Sequence, residues 1–450
     1  MTTTVFHPDV YRTDLKPRSY WQATAKVRAA VPLEGARSTE VAIIGGGYAG
    51  LSAALHLARD CGIEAVVLEA RDYGWGASGR NGGFATIPAT KLSLADMIRR
   101  YGEGETRAFH AMQQRGLDTV RALIADEAIA CDVQGDGNYE VAHSPAVVDD
   151  LKAAVEAWRQ FGFEGEFLSR EAFLEVGHAG TEQFGAMRFP GHFGLHPMKY
   201  LGGLREAAER HGATLYAQSP VIGWEKSGGL HVLRTPGGEV SARHVILCTN
   251  GYTPDGLRKD FDNRTVPALS NIIVTRPLTP EELAAEGWKT ECTLTNARDL
   301  LFYYRLLPDR RILFGARGGT SGSPTEDMRM KAWLTRRLGE VFPSWADVDV
   351  EYFWNGLVCL TGRLTPAIGR LDDDPTVSYG FGWHGSGVVG GTIAGRLLAE
   401  ALSEGVATPL RFPKPVLGLP PNLFHPLVRR FGLKAAYVWY AYRDWRAGRD

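Results

Sequence analysis

VAIIGGGYAGLSAALHLARDCGIEAVVLEARDYGWGASGRNGG, residues 41–83, decides the fold of this chain. EVAIIG at 40–45 is a short apolar, β-branched run ending in glycine, the pattern of a buried parallel strand. Leu51, Ala54, Leu55 and Ala58 recur at helical spacing over 48–60. EAVVLE at 64–69 is a second buried strand. Together they form a β-α-β unit of about thirty residues, the size of a dinucleotide-binding fold.

Gly45, Gly47 and Gly50 place a G-x-G-x-x-G pattern at the junction of strand and helix. Gly45 permits the tight turn, Gly47 lets backbone N–H groups reach a pyrophosphate, and Gly50 lets helix and strand pack closely. The helix N-terminus, with Tyr48 and Ala49, then faces the phosphates. Glu69, followed by Ala70, closes the second strand about 20 residues further on, where a carboxylate accepts hydrogen bonds from a ribose diol. A carboxylate there disfavours a 2′-phosphate. The pattern itself fits FAD and NAD alike. Only one such fingerprint occurs, which disfavours a reductase with separate FAD and NAD(P) folds. A second glycine-rich run, WGASGRNGG at 75–83, suits a ligand that extends beyond the pyrophosphate.

The wider composition is globular: 450 residues, 44% hydrophobic, 22% charged, net charge −1. No basic surplus points to nucleic acid and no acidic block to disorder. Five cysteines without C-x-x-C spacing read as reduced and buried, and no cluster has metal-ligand spacing. No run reaches the roughly 18 apolar residues of a spanning helix. The first 25 residues lack the layout of a secretory signal, so the expectation is a cytoplasmic protein.

Beyond residue 83 the periodicity predicts helices over 104–127, 146–161, 196–212 and 387–403. Strands are expected in ATLYAQSPV, GLHVLRTPGG, HVILCTN and TVSYGF, with a turn at 236–238. NIIVTRPL, LLFYYRLLP and RILFGARGG alternate, as an antiparallel sheet with one lining face does. The fold class is α/β plus α+β: a discontinuous Rossmann-like nucleotide domain (38–95, 196–252, 350–405) carrying an inserted substrate domain (96–195, 253–349). An N-terminal extension (1–37) and an aromatic, basic tail (406–450) flank them.

LEARDYGWGASGRNGG at 68–83 resembles the FAD-dependent oxidases of the D-amino acid oxidase/glycine oxidase superfamily. The likeness is greatest to the branch containing gamma-glutamylputrescine oxidase and L-pipecolate oxidase. It continues in order through SYWQATA, GLHPMKYLGGLREAA, VILCTNGYTP, FYYRLLPDRRILFGAR, WNGLV and GFGWHGSGVVGGTIAGRLLAE. It implies non-covalent FAD, with its pyrophosphate on Gly45–Gly50, its ribose on Glu69 and Arg71 nearby. Gly76, Ala77, Ser78, Gly79, Arg80, Asn81, Gly82 and Gly83 would run along the inner length of the flavin, with Gly356 beside them. Val221 would meet the adenine side, and Thr249 and Asn250 the pyrophosphate; a plain turn after a buried strand is the other reading of that pair. Gly385, Ser386, Gly387 and Val388 would bring a helix N-terminus to the flavin's pyrimidine edge, where reduced flavin carries negative charge. Two departures bear on substrate. Relatives typically read G-Y-S-G-H-G where this chain has Gly382-Trp383-His384-Gly385-Ser386-Gly387, and often Gln where it has Phe84.

The implied chemistry is oxidation of a C–N bond of a small amine or amino acid: hydride to flavin N5, then hydrolysis of the imine in water. His384 and Ser386 are the candidate polar groups at the ring; each also fits a turn satisfied by its own backbone. Phe84, Tyr303, Tyr304, Arg305, Arg317 and Trp383 are candidate substrate contacts. Arg317 suits a carboxylate, with a solvated or salt-bridged arginine as the alternative, and Arg276 is an outside candidate. Tyr303 and Arg305 should share one face of a strand and Tyr304 the other. Dioxygen or quinone is the expected acceptor. The tail's aromatic and basic residues suit either docking on the protein or peripheral contact with a membrane. An NAD-dependent dehydrogenase and a non-catalytic FAD-binding protein stand as alternatives.

Overall fold

The computed structural model describes residues 5–11, 18–26, 28–423 and 425–447. Parts of the expected N-terminal extension (1–4, 12–17, 27) and of the tail (424, 448–450) lie outside the described residues.

Gly35–Ile44 is central to the first eight-stranded sheet. It pairs in parallel with Ala65–Leu68 and Gly238–Leu247. Thr214–Tyr216 extends the sheet on one side; Val377–Phe381 and then antiparallel Ala367–Arg370 extend it on the other. Alternate side chains serve two cores. Val41, Ile43, Ala65 and Val67 meet the helices Tyr48–Cys61, Pro197–Arg210 and Gly387–Ser403, whereas Ala42, Ile44, Val66 and Leu68 meet a second cluster on the opposite face. Burial on both faces explains why these strands read as continuous apolar runs. Gly223–Ser227, largely exposed and unmarked by apolar periodicity, joins Leu230–Arg234 and Gly238–Leu247 as an antiparallel ribbon.

The second sheet, also eight-stranded, runs Val350–Thr361, Thr265–Thr275, Ile312–Arg317, Phe302–Leu306, Thr293–Asn296, Asn138–Val141, Ala186–Phe189, Glu166–Leu168. It is antiparallel except between Thr293–Asn296 and Asn138–Val141. One face packs on the helix Pro324–Val341 and an aromatic cluster around Phe342 and Trp345; the other faces the first sheet's domain. Val350–Thr361, assigned from sequence to the nucleotide domain, pairs along its length with Thr265–Thr275 and so belongs to this sheet. Its side chains are mostly half-buried, and the run EYFWNGLVCL does not reveal which sheet it joins.

Helix Gly387–Ser403 crosses helix Tyr48–Cys61 at near contact distance. A Cβ on Gly395 would lie 2.3 Å from the Ala49 carbonyl oxygen and 2.6 Å from the Ala53 nitrogen. The Ser52 hydroxyl donates to the Thr392 carbonyl at 2.7 Å across the same seam. Cys131, Cys248 and Cys359 are buried, and burial pushes their thiols up to about 12.

The last helix, Pro426–Ala447, docks through one side. Arg429 reaches Asp255, Asn263 and the Thr265 carbonyl. The Asp444 carboxylate accepts the backbone N–H groups of Asp299 (2.8 Å) and Leu300 (3.1 Å). The opposite side leaves Phe431, Val438, Trp439, Tyr442 and Trp445 exposed.

The Gly395 seam yields a stability prediction. Gly395→Val forces the helices apart in a closely packed core, an overpacking that costs about 1–3 kcal/mol. A lower thermal midpoint with less retained flavin is expected; an unchanged midpoint would contradict the seam.

Candidate functional site

A cleft opens where the carboxyl ends of Gly35–Ile44 and Ala65–Leu68 meet the N-terminus of helix Tyr48–Cys61. Gly45 has φ +104°. A Cβ on Gly50 would stand 1.9 Å from the Gly45 carbonyl oxygen, and one on Gly47 would stand 2.9 Å from Ser78 Oγ. Bare backbone is therefore what fits. The Tyr48 N–H donates to Ser78 Oγ at 3.1 Å, which brings the second glycine-rich run onto the helix end. The Glu69 carboxylate accepts from the N–H groups of Gly46 (2.7 Å) and Arg71 (3.0 Å). Burial raises its pKa, and those N–H groups oppose the rise.

Of the sequence candidates, Gly45, Gly47, Tyr48, Ala49, Glu69, Ala70, Gly76, Ala77, Ser78, Asn81, Val221, Thr249, Asn250, Gly385 and Gly387 line this cleft. Asn250, at φ +50°, accepts the Gly382 N–H on Oδ1 at 2.8 Å and so clips the glycine-rich turn at Gly382–Gly385 to the first sheet. Gly50, Gly79 and Gly83 stand behind the wall: a Cβ on each would strike a carbonyl oxygen, of Gly45, Gly74 and Leu195 respectively. Arg71 is not on the wall either; its part is the backbone N–H given to Glu69.

A second cavity of about 340 Å³ adjoins the cleft and shares Ala77, Asn81, Leu357, Val358, Gly385 and Gly387 with it. Phe84, Tyr303, Arg317, His384 and Ser386 line it, as do Arg80, Gly82, Gly356 and Val388. Phe84 and Tyr303 meet edge to face with ring centroids 5.7 Å apart, and the Tyr303 hydroxyl is 2.7 Å from Ser270 Oγ. Arg80 lines the chamber but its Nε donates to the Trp75 carbonyl at 2.6 Å. Ser386 Oγ donates to the Pro88 carbonyl at 3.1 Å.

Three substrate candidates need correction. Tyr304 lies on the far face of its strand, in the aromatic core, with its hydroxyl 3.0 Å from His178 Nε2. Arg305 shares the Tyr303 face but sits deeper: it donates to the Leu195 carbonyl at 2.6 Å and lies over the Trp21 ring. Burial holds its guanidinium down to about 10. Trp383 borders the nucleotide cleft and packs on Gly387 and Gly390, away from the chamber wall. Arg276 is paired with Glu282 at 2.6 Å.

His384 is buried at φ +52° with Nε2 3.3 Å from Thr361 Oγ1, and its carbonyl accepts from Arg317 at 3.2 Å. Burial, with Lys91 and Arg317 adding repulsion, holds the ring pKa to about 3, so it is neutral at physiological pH. Sequence reading overlooked Lys91, Asn138, Glu140, Trp158, Phe189 and His192, which also line the chamber. Asn138 and Glu140 were discoverable in principle: in NYEV, polar residues alternate with buried Tyr139 and Val141. Lys91 carries no such signal.

The glycine-only turn, the carboxylate at the strand end and the helix N-terminus at Gly387 together fit a flavin dinucleotide. The family model described as FAD dependent oxidoreductase matches residues 40–401. The chain belongs to that family. It is 31% identical over 391 residues to gamma-glutamylputrescine oxidoreductase of Escherichia coli, covering 85% of this chain and 88% of the relative. Among solved structures it superposes on glycine oxidase from Geobacillus kaustophilus with TM-score 0.69 and 22% identity, covering 84% of this chain and 96% of that one. L-proline dehydrogenase from P. horikoshii gives TM-score 0.68 at 18% identity, covering 90% and 99%. The protein is an FAD-dependent oxidoreductase with a Rossmann-like nucleotide domain and an inserted sheet domain.

The neutral imidazole has a consequence for pH. Between about 6.5 and about 3 the unfolded chain binds a proton at His384 that the folded protein refuses. Stability from this group is thus present above 6.5 and is lost as pH falls. His384→Asn, which tolerates the left-handed backbone, should flatten the fall in thermal midpoint between neutral and mildly acidic pH. An unchanged slope would mean the ring is protonated in the fold.

Proposed function

We propose that this protein oxidises the C–N bond of a small amine or amino acid in a catabolic role, and that the adjoining chamber receives the substrate. The observation that carries the reading is the position of that chamber. It opens onto the inner end of the nucleotide cleft, beside the helix N-terminus at Gly387, and its wall combines aromatic rings with Arg317 and Lys91. The name of the Escherichia coli relative supports the same chemistry.

Bound FAD supplies a two-electron acceptor for the carbon next to the amine. The backbone at Gly45–Ala49 would hold its pyrophosphate and Glu69 its ribose. The Gly387 helix end would favour negative charge at the flavin's inner edge. In the chamber, Arg317 has a guanidinium free to receive a carboxylate after giving one N–H to the His384 carbonyl. Neutral His384 offers hydrogen bonds without placing a cation beside the amine. Phe84 and Tyr303 cover the apolar part of the substrate and exclude water. The amine reacts in its neutral form, so no residue is assigned as base.

The test is an anaerobic absorbance titration with pooled amines and amino acids. Purified protein should be yellow, and at least one pool should bleach it. Arg317→Met should raise the half-saturating concentration of carboxylate-bearing substrates about tenfold or more. Yellow protein that no pool bleaches would favour a non-catalytic flavoprotein.

Within this reading the acceptor is dioxygen or a membrane quinone, and a specific observation favours the second. Phe431, Val438, Trp439 and Trp445 are 70%, 72%, 57% and 51% exposed along one side of the last helix, with Lys434, Arg443 and Arg446 on the same helix. Aromatic and basic residues so placed seat at an anionic bilayer surface. No helix of the described residues is long and apolar enough to cross a membrane. A peripheral position on the inner face would follow. The protein should then sediment with phosphatidylglycerol vesicles at low salt, and Trp439→Ser/Trp445→Ser should remain in the supernatant. Wild type that stays in solution would leave dioxygen as the acceptor.

A further inference from the structure

Glu140 is the one carboxylate among the described residues that line the chamber. It stands on Asn138–Val141, with Thr295 opposite on one neighbouring strand and Met187 on the other; both line the same chamber. Tyr139 and Val141 point the other way, into the aromatic core. The strand therefore fixes the direction of the Glu140 side chain.

Neither the Glu140 carboxylate nor the Lys91 ammonium makes a hydrogen bond or ion pair with any described residue. An ion pair between the two is the arrangement an internal counter-ion would adopt, and it is not made. Both face the chamber's interior instead. Burial pushes Glu140 up to about 7, and Lys91 partly offsets the rise. Glu140, half-buried and left unpaired, has its charge stabilised by a ligand that completes it. Trp158 and Phe189 line the same chamber, with ring centroids 6.0 Å apart and planes at 90°. A carboxylate close to aromatic faces is a receptor for a cationic nitrogen.

We propose that Glu140, with Trp158 and Phe189, forms a subsite for a second, positively charged amine of the substrate, distinct from the nitrogen that is oxidised. The preferred substrates are then molecules with an amine at each end. This rests on reading the chamber as the substrate site. Glu140 acts on specificity, and no step of the oxidation passes through it.

The test compares linear α,ω-diamines, from propane to hexane, with the matching monoamines on the flavin-loaded enzyme. Anaerobic flavin reduction gives the rate divided by the saturation constant, which unproductive binding does not distort. Calorimetry on anaerobic enzyme whose flavin has first been reduced with dithionite gives the diamine dissociation constant without reaction. Wild type should favour one diamine over its monoamine by about tenfold or more, and Glu140→Gln should reduce that ratio at least about tenfold while weakening calorimetric binding of the diamine. Trp158→Leu should move both readings the same way, which guards against a Glu140 variant that fails to fold. Wild type without diamine preference would overturn the subsite, as would a variant with an unchanged ratio or an unchanged diamine dissociation constant. If neither class of amine reduces the flavin, the proposed reaction fails; calorimetry still decides the subsite, because an absent or Glu140-independent diamine signal rejects it.

Discussion

The site depends on three approaches so close that none leaves room for a Cβ. Gly50 lies against Gly45, the helix end at Gly47 meets Ser78, and Gly395 lies against Ala49 and Ala53. The Gly50 and Gly395 approaches lie behind the cleft and hold its first helix in place, which leaves the peptide groups of Gly45–Ala49 at the cleft itself. Because the donors are backbone, their positions are set by helix and strand geometry and not by rotamers. A dinucleotide site of this kind is therefore as rigid as the sheet behind it. Side chains enter as fasteners: Ser78 on the Tyr48 N–H, Glu69 on Gly46 and Arg71, Asn250 on Gly382.

The nucleotide half was legible because its chemistry is written in local spacing. Strand, glycine turn, helix and closing carboxylate all fall within residues 41–69. The Gly387–Ser403 helix was legible for a similar reason, since a glycine-rich turn precedes a long apolar period. The second sheet's membership was not. Val350–Thr361 runs directly towards the first sheet in sequence, yet bonds to Thr265–Thr275, a pairing between residues 75 to 96 positions apart in the chain.

The substrate side shows how far strand parity reaches. It correctly separated Tyr303 and Arg305 from Tyr304, but a shared face is not a shared cavity. Two residues along the strand carry Arg305 under Trp21 and Leu195, beyond the chamber. Lys91 and Glu140 escaped for the opposite reason. A lone charge in a sequence reads as solvated surface, and only the closing of the two sheets' domains around them makes their solvent an enclosed one.

The cap that Asp444 places on Asp299 and Leu300 joins distant parts of the chain. Leu301, the next residue, is on the chamber wall. That loop owes part of its order to a carboxylate on the outermost helix, whose other side faces away from the protein. Two hydrogen bonds thus tie the outermost helix to the residue beside Leu301, so a part of the chain far from the nucleotide turn helps to fix one stretch of the chamber wall.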